Sequence, residues 1–193
     1  MSGAVAVVIL AGGEGSRIGG HKPLRTLAGE RLIDRALRQA RSWSDLVAIS
    51  VRDPAQVELV GETLLMDAPA IEGPLGGLIA ALEFARSNGR DFVLTIAADM
   101  PFLPADLLDR LLAGVQHCGC ALASSGGQMH PVCGLWRVAA LQKTERYIAT
   151  GKRSLRGLAE RIGFETVDWP ADPVDPFFNV NSPADLSRAE QML

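Results

Sequence analysis

Apolar positions fall into two rhythms along this chain. Val5–Leu10, Leu46–Val51, Thr63–Met66 and Phe92–Ala98 are short runs with few polar interruptions. Val5–Leu10 in particular reads as a strand buried on both faces. Between the runs, apolar residues recur at helical spacing. In Glu30–Ser42, Leu32, Ile33, Ala36, Leu37 and Ala40 share one face, and Arg31, Asp34, Arg35, Arg38 and Arg41 the other, which reads as a solvated basic stripe. Ala68–Gly77 reads as a loop before helical spacing resumes over Leu78–Arg86. Leu107, Leu108, Leu111, Leu112 and Val115 predict a helix with Pro104 and Asp106 in its opening turn.

The second half is patterned more weakly. Ala121–Ser124 and Val132–Trp136 predict strands around a polar loop, Ser125–His130. Ala139–Ala149 and Leu155–Ile162 predict helices, and Glu165–Trp169 a last strand. In Asn181-Ser182-Pro183-Ala184-Asp185, a cap, a first-turn proline and an early acid announce a closing helix. Strands alternating with helices predict an α/β fold of three Rossmann-like layers about a mostly parallel sheet. With no linker or repeat, residues 1–193 are expected to form a single domain.

Ligands in such folds bind at the carboxyl ends of the strands. Three chemical features are expected there. Gly12, Gly13, Gly15, Gly19 and Gly20 follow the first strand, with Arg17 and Lys22 among and after them. Glycines let the backbone approach a ligand, its N–H groups can cradle anions, and the two cations suit phosphate oxygens. Ile18 breaks the dinucleotide fingerprint, and His21-Lys22-Pro23 breaks the P-loop, so both familiar nucleotide motifs are rejected. Asp67 and Asp99, each ending a strand, are the other two features. Two carboxylates facing a polyphosphate suggest Mg2+, which takes oxygen ligands and few carboxylates. Pro101 holds Met100 extended and makes Asp99 the better fixed of the two.

Composition narrows the classes further. A net charge of -3 over 193 residues offers no basic surface for nucleic acid. The first apolar run is too short to span a membrane and follows no basic region, so a cytoplasmic protein is expected. Cys118, Cys120 and Cys133 read as buried thiols rather than a zinc site. No nucleophile is visible with its base, and phosphoryl chemistry needs none, because positioning and charge stabilisation carry it.

Leu10-Ala11-Gly12-Gly13 with Arg17, Gly19, Gly20 and Lys22 resembles the signature of nucleotidyltransferases, and within them of molybdenum cofactor guanylyltransferases. Gly73-Pro74-Leu75-Gly76-Gly77, Asp99-Met100-Pro101, His130-Pro131 and Phe178-Asn179-Val180-Asn181-Ser182-Pro183-Ala184-Asp185-Leu186 agree with it in order. The resemblance implies transfer of GMP from GTP to molybdopterin or molybdenum-molybdopterin, with release of pyrophosphate. Leu10, Ala11, Gly12 and Gly13 would hold the nucleotide, Arg17 and Lys22 the phosphates, and Asp67 the guanosine end. Asp99 would bind Mg2+, and Gly73 to Gly77, with Gly76 and Gly77 among them, would allow close approach of the base. Asn179 and Asn181 would line the reacting centre, and His130 would sit towards the pterin. The implied partners are GTP and the pterin, and proteins that deliver or accept the cofactor are left open.

Two positions depart from the family. His21 stands where an aspartate is common, and Ile49-Ser50-Val51-Arg52 lacks the asparagine that often ends the second strand. Rivals are a molybdopterin cytidylyltransferase, whose loop typically has alanine at the third position, a sugar-phosphate nucleotidyltransferase, and a noncatalytic nucleotide-binding adaptor. His130 and Arg137 are candidate contacts for an anionic ligand, whereas Lys152 and Arg153 fit solvated surface.

Overall fold

A computed structural model describes residues 5–12, 22–58, 61–69 and 71–193. Gly13, Arg17, Gly19, Gly20 and His21, and the side chain of Lys22, lie outside the described residues.

In chain order the elements are β1 (Val5–Leu10), β2 (Thr26–Leu27), β3 (Glu30–Arg31), α1 (Leu32–Trp43), β4 (Val47–Val51), β5 (Leu64–Met66), α2 (Pro74–Ser87) and β6 (Phe92–Ala97). They continue as α3 (Leu107–Gly114), β7 (Cys120–Ser125), β8 (Gln128–Arg137), α4 (Leu141–Ile148), α5 (Leu155–Ile162), β9 (Phe164–Trp169) and α6 (Pro183–Gln191). Among the described residues, seven strands form one sheet in the order β5-β4-β1-β6-β8-β7-β9. Only β8 runs against its neighbours in that sheet, pairing antiparallel with both β6 and β7. Its start therefore lies at the same edge as the ends of β1, β4, β5 and β6.

The unbroken apolar strands are unbroken because helices cover both faces. One core gathers Val5, Val7 and Ile9 of β1 with α1 and α3. The other gathers Ala6 and Val8 with α2, α4 and α5. The basic stripe is paired with acids: Arg31, just before α1, with Asp34, Arg35 and Arg38 with Glu30, and Arg41 with Glu62.

Several boundaries shift by a residue or two, and four differences from expectation change the local structure. Glu30 and Arg31 do not begin α1. They pair with Thr26 and Leu27 across a turn at Ala28 and Gly29, both at positive φ. Pro74, Leu75, Gly76 and Gly77, expected in a loop, form the first turn of α2, where proline suits the first helical position. Asp106 precedes α3 and makes no side-chain cap; its Oδ1 instead accepts from Trp169 Nε1 at 3.0 Å. The loop after β7 shrinks to a two-residue turn because Gly126 and Gly127 both take positive φ, so β8 starts at Gln128.

Candidate functional site

The carboxyl ends of β1, β4, β5 and β6 are tied into one edge. Ala11 N–H donates to Ser50 O at 2.8 Å, Asp67 N–H to Val51 O at 2.9 Å, and Ala98 N–H to Leu10 O at 3.4 Å. Sequence spacing places Leu10, Ala11, Gly12, Asp67 and Asp99 at this edge, and the structure brings them there. The C-terminal segment joins them, since Val180 N–H donates to Asp99 O at 2.9 Å. That bond sets Asn179 and Asn181, on either side of Val180, beside the strand ends. Ser182 caps α6 by accepting from Asp185 N–H at 3.1 Å. Asp185 Oδ2 accepts in turn from the Asn181 amide at 3.1 Å and the Ser182 hydroxyl at 2.8 Å. These bonds, the Ser182 hydroxyl foremost, hold the Asp185 carboxyl below its usual range.

Asp67 is wedged. Its side chain is 8% exposed, its Oδ1 accepts a short hydrogen bond from the Ser50 hydroxyl, and Arg52 Nε stands 4.0 Å from Oδ2. A methyl group on Gly12 would overlap Oδ2 and stand 3.2 Å from Cγ. On the other side, a methyl on Gly77 would meet Leu10 Cδ2 at 3.0 Å, Ser50 Oγ at 3.1 Å and Asp67 Oδ1 at 3.3 Å. A methyl on Gly76 would stand 2.9 Å from the Ile71 carbonyl. Gly76 and Gly77 are both buried; the lack of a side chain lets α2 approach the strand ends at Gly77 and the backbone of Ala68 and Ile71 at Gly76.

At the end of β6, Asp99 is half-buried, with Oδ1 shielded from solvent. Beside it the buried Cys133 thiol is pushed up to about 12, chiefly by burial and further by the Asp99 carboxylate. That thiol stays protonated and packs against Met100, Sγ to Sδ 3.4 Å. Cys120 is also buried and its thiol is raised for the same chief reason, which suits both residues to packing.

His130 occupies the same edge, near the start of the reversed strand β8. Its Nε2 lies 2.8 Å from Ser125 Oγ, and its ring stacks on Phe177 with centroids 4.8 Å apart. Burial lowers its pKa, against the pull of the Asp175 carboxylate. Arg137 does not share this edge. It pairs in register with Phe92, the first residue of β6, and its guanidinium donates to the carbonyls of Val115, Gln116 and Cys118. The expectation that it contacts an anionic ligand is corrected on that ground: β8 carries it to the opposite pole, where it braces a turn.

Sequence reasoning missed Ser50, Arg52, Ser125, Asp175 and Phe177. Ser50 had a signal, as the one polar residue inside the apolar run Val47–Val51. Asp175 and Phe177 had none, because Ser125 and His130, which they hold, lie some 50 residues away.

The profile of the MobA-like NTP transferase domain matches residues 7–166. The chain belongs to that family. Curated relatives of this MobA-like chain include a molybdenum cofactor guanylyltransferase of Cereibacter sphaeroides, 40% identical, with 96% of this chain and 95% of the relative aligned. Another, of the same name, from Nitrobacter hamburgensis is 37% identical over 96% of this chain and 92% of its own. Among solved structures, the molybdopterin-guanine dinucleotide biosynthesis protein A of Archaeoglobus fulgidus superposes with a TM-score of 0.76 at 27% identity, covering 97% of each chain. As a MobA-like NTP transferase, the chain is a nucleotidyltransferase enzyme with the three-layer fold expected of it, and family chemistry calls for a divalent metal. Among the described residues no helix is long and apolar enough to cross a membrane. The family match ends at residue 166, whereas the structure carries Asn179 and Asn181 to the strand ends beyond it.

Proposed function

We propose that this enzyme transfers GMP from GTP to molybdopterin, or to its molybdenum-bearing form, and releases pyrophosphate. The observation that carries the reading is the meeting of Leu10–Gly12, Asp67, Asp99 and Val180 at one sheet edge, through the strand-end bonds given above. Residues 1–193 act as one nucleotidyltransferase domain, because the terminal segment completes that edge.

The glycine loop from Gly12 through Gly13 lets its backbone lie against the triphosphate, and Arg17 and Lys22 bind the phosphates. Ala11 N–H and Leu10 O are already committed to Ser50 O and Ala98 N–H, so the Ala11 carbonyl and the Gly12 backbone serve the nucleoside. Asp67, oriented by Ser50, recognises the guanosine end, while Gly76 and Gly77 keep α2 low beneath the nucleoside. A phosphate oxygen of the pterin attacks the α-phosphorus in line. The new P–O bond forms as the bond to the bridging oxygen of the β-phosphate breaks, and pyrophosphate leaves with that electron pair. The attacking phosphate is largely ionised near neutral pH and requires no catalytic base. Arg17 and Lys22 stabilise charge on the departing pyrophosphate, and Asn179 and Asn181 orient the groups around the reacting centre.

Asp99 fits a divalent cation, being a carboxylate at a strand end with one shielded oxygen and Asn181 close by in the chain that crosses it. Mg2+ matches such an oxygen-only set, with few protein ligands and the remainder from phosphates. When bound there it supplies charge neutralisation for the triphosphate.

The deciding experiment is pyrophosphate release with molybdopterin and either GTP or CTP, with and without Mg2+. Turnover with GTP that stops on chelation is expected. Equal or faster turnover with CTP would reassign the enzyme to the cytidylyltransferases, and GTP binding without turnover would make it an adaptor.

A further inference from the structure

Ser125 ends β7 and is 1% exposed, and its hydroxyl has a single proton to place. Asp175 Oδ1 lies 2.8 Å away. An ionised carboxylate only accepts, so the hydroxyl proton points to Asp175. His130 Nε2, 2.8 Å from the same Ser125 oxygen, must then be the donor. The hydrogen-bond chain therefore fixes the tautomer: Nε2 carries the hydrogen, and Nδ1 of the neutral ring presents a lone pair.

The surroundings hold this arrangement still. Asp175 Oδ1 also accepts the Phe177 amide at 2.9 Å. The Phe177 ring stacks on His130 at an interplanar angle of 21°, and Trp169 meets its other side edge-on at 5.4 Å between centroids. Among the described residues no protein group is hydrogen-bonded to Nδ1. The ring is half-buried and stands at the sheet edge that carries Asp99.

We propose that Ser125 and Asp175 are positioning residues that hold His130 as its Nε2–H tautomer, so that Nδ1 accepts a hydrogen bond from an N–H donor on the heterocycle of the acceptor substrate. This rests on the reading of the enzyme as a transferase acting on a pterin. A neutral Nδ1 has nothing to offer a fully ionised phosphate, which only accepts, but it suits the amino and ring N–H groups of a pterin. The acceptor is thereby oriented, with its heterocycle at the β7–β8 turn and its phosphate towards Asp99 and Gly12. His130, which the resemblance set towards the pterin and its residue type left as a candidate for an anionic ligand, becomes a reader of the ring through a fixed tautomer.

The test uses the full chain with 15N-labelled histidine, the His130 signals being assigned with His130→Gln. Nε2 should resonate in the protonated range and Nδ1 in the unprotonated range at pH 8, and 6-hydroxymethylpterin should shift the Nδ1 signal. Ser125→Ala should mix the tautomers and raise KM for molybdopterin about tenfold, the effect of losing one good hydrogen bond. KM for GTP should stay unchanged, and Ser125→Thr should restore both readouts. A wild-type ring protonated at Nδ1, a pterin that leaves the signal unmoved, or a Ser125→Ala enzyme with unchanged KM for molybdopterin would each overturn the proposal. The resonance measurements need no turnover, so failure of guanylyl transfer with a normal pterin response would strike the reaction and leave this site standing.

Discussion

Asp67 is oriented from three directions at once. The Ser50 hydroxyl bonds one carboxylate oxygen, Arg52 faces the other, and Gly12 leaves the space that the second oxygen fills. Gly12→Ala places a methyl group in that space, and the carboxylate must turn away from Ser50. Overpacking of this kind costs about 1–3 kcal/mol. The expected outcome is a rise of about tenfold or more in KM for GTP, with a lowered melting temperature, measured by steady-state kinetics and thermal unfolding. Asp99 gives a different signature. Asp99→Asn keeps the shape and removes the charge, so kcat should fall about 100-fold or more, as when one preorganised electrostatic group is lost. Pyrophosphate release near the wild-type rate would remove the metal role from Asp99. Asp67 and Asp99 were legible in the sequence because each directly follows an apolar strand. Ser50 and Ser125 were not, because what they do depends on a carboxylate 17 and 50 residues further along the chain.

Among the elements, the strands were the most legible. Val5–Leu10 matches its predicted range to the residue because burial on both faces leaves no ambiguity of phase. The first turn of α2 was hidden by its own composition, since Gly-Pro-Leu-Gly-Gly reads as a loop until the sheet that needs the glycines is known. The closing helix α6 was announced by Ser182-Pro183-Ala184-Asp185, and its cap reaches beyond itself, because the Ser182 hydroxyl and Asn181 amide share Asp185 Oδ2. Ser182→Ala should cost about 1 kcal/mol, which corresponds to about 2–4 °C in melting temperature for a chain of this size. It should also lower kcat by slackening Asn181. Calorimetry and turnover of the same variant check both, and an unchanged melting temperature would mean that solvent satisfies the helix end as well as Ser182 does.

Across the whole molecule, the segment after β9 fastens the β7–β8–β9 side of the sheet to the nucleotide side. Phe177 is 2% exposed between Trp169 and His130, and three residues later Val180 reaches Asp99. Phe177→Ala should destabilise the protein by about 3–5 kcal/mol, read from urea unfolding, because a ring of that size leaves a cavity that its neighbours cannot close. His130 should lose its fixed orientation in the same variant. The three-layer plan could be read from alternating strands and helices, but this fastening could not, since it joins segments through hydrogen bonds that leave no periodicity.

The space above Gly12 couples two positions 55 residues apart in the chain. Position 12 and position 67 behave as a single character, because a methyl group at one and a carboxylate at the other compete for the same volume. Alanine at position 12 cannot be accommodated in this chain without displacing the acid at position 67. The two positions should therefore show strong epistasis when exchanged singly and together, read from the melting temperatures and the KM for GTP of the two single variants and the double variant.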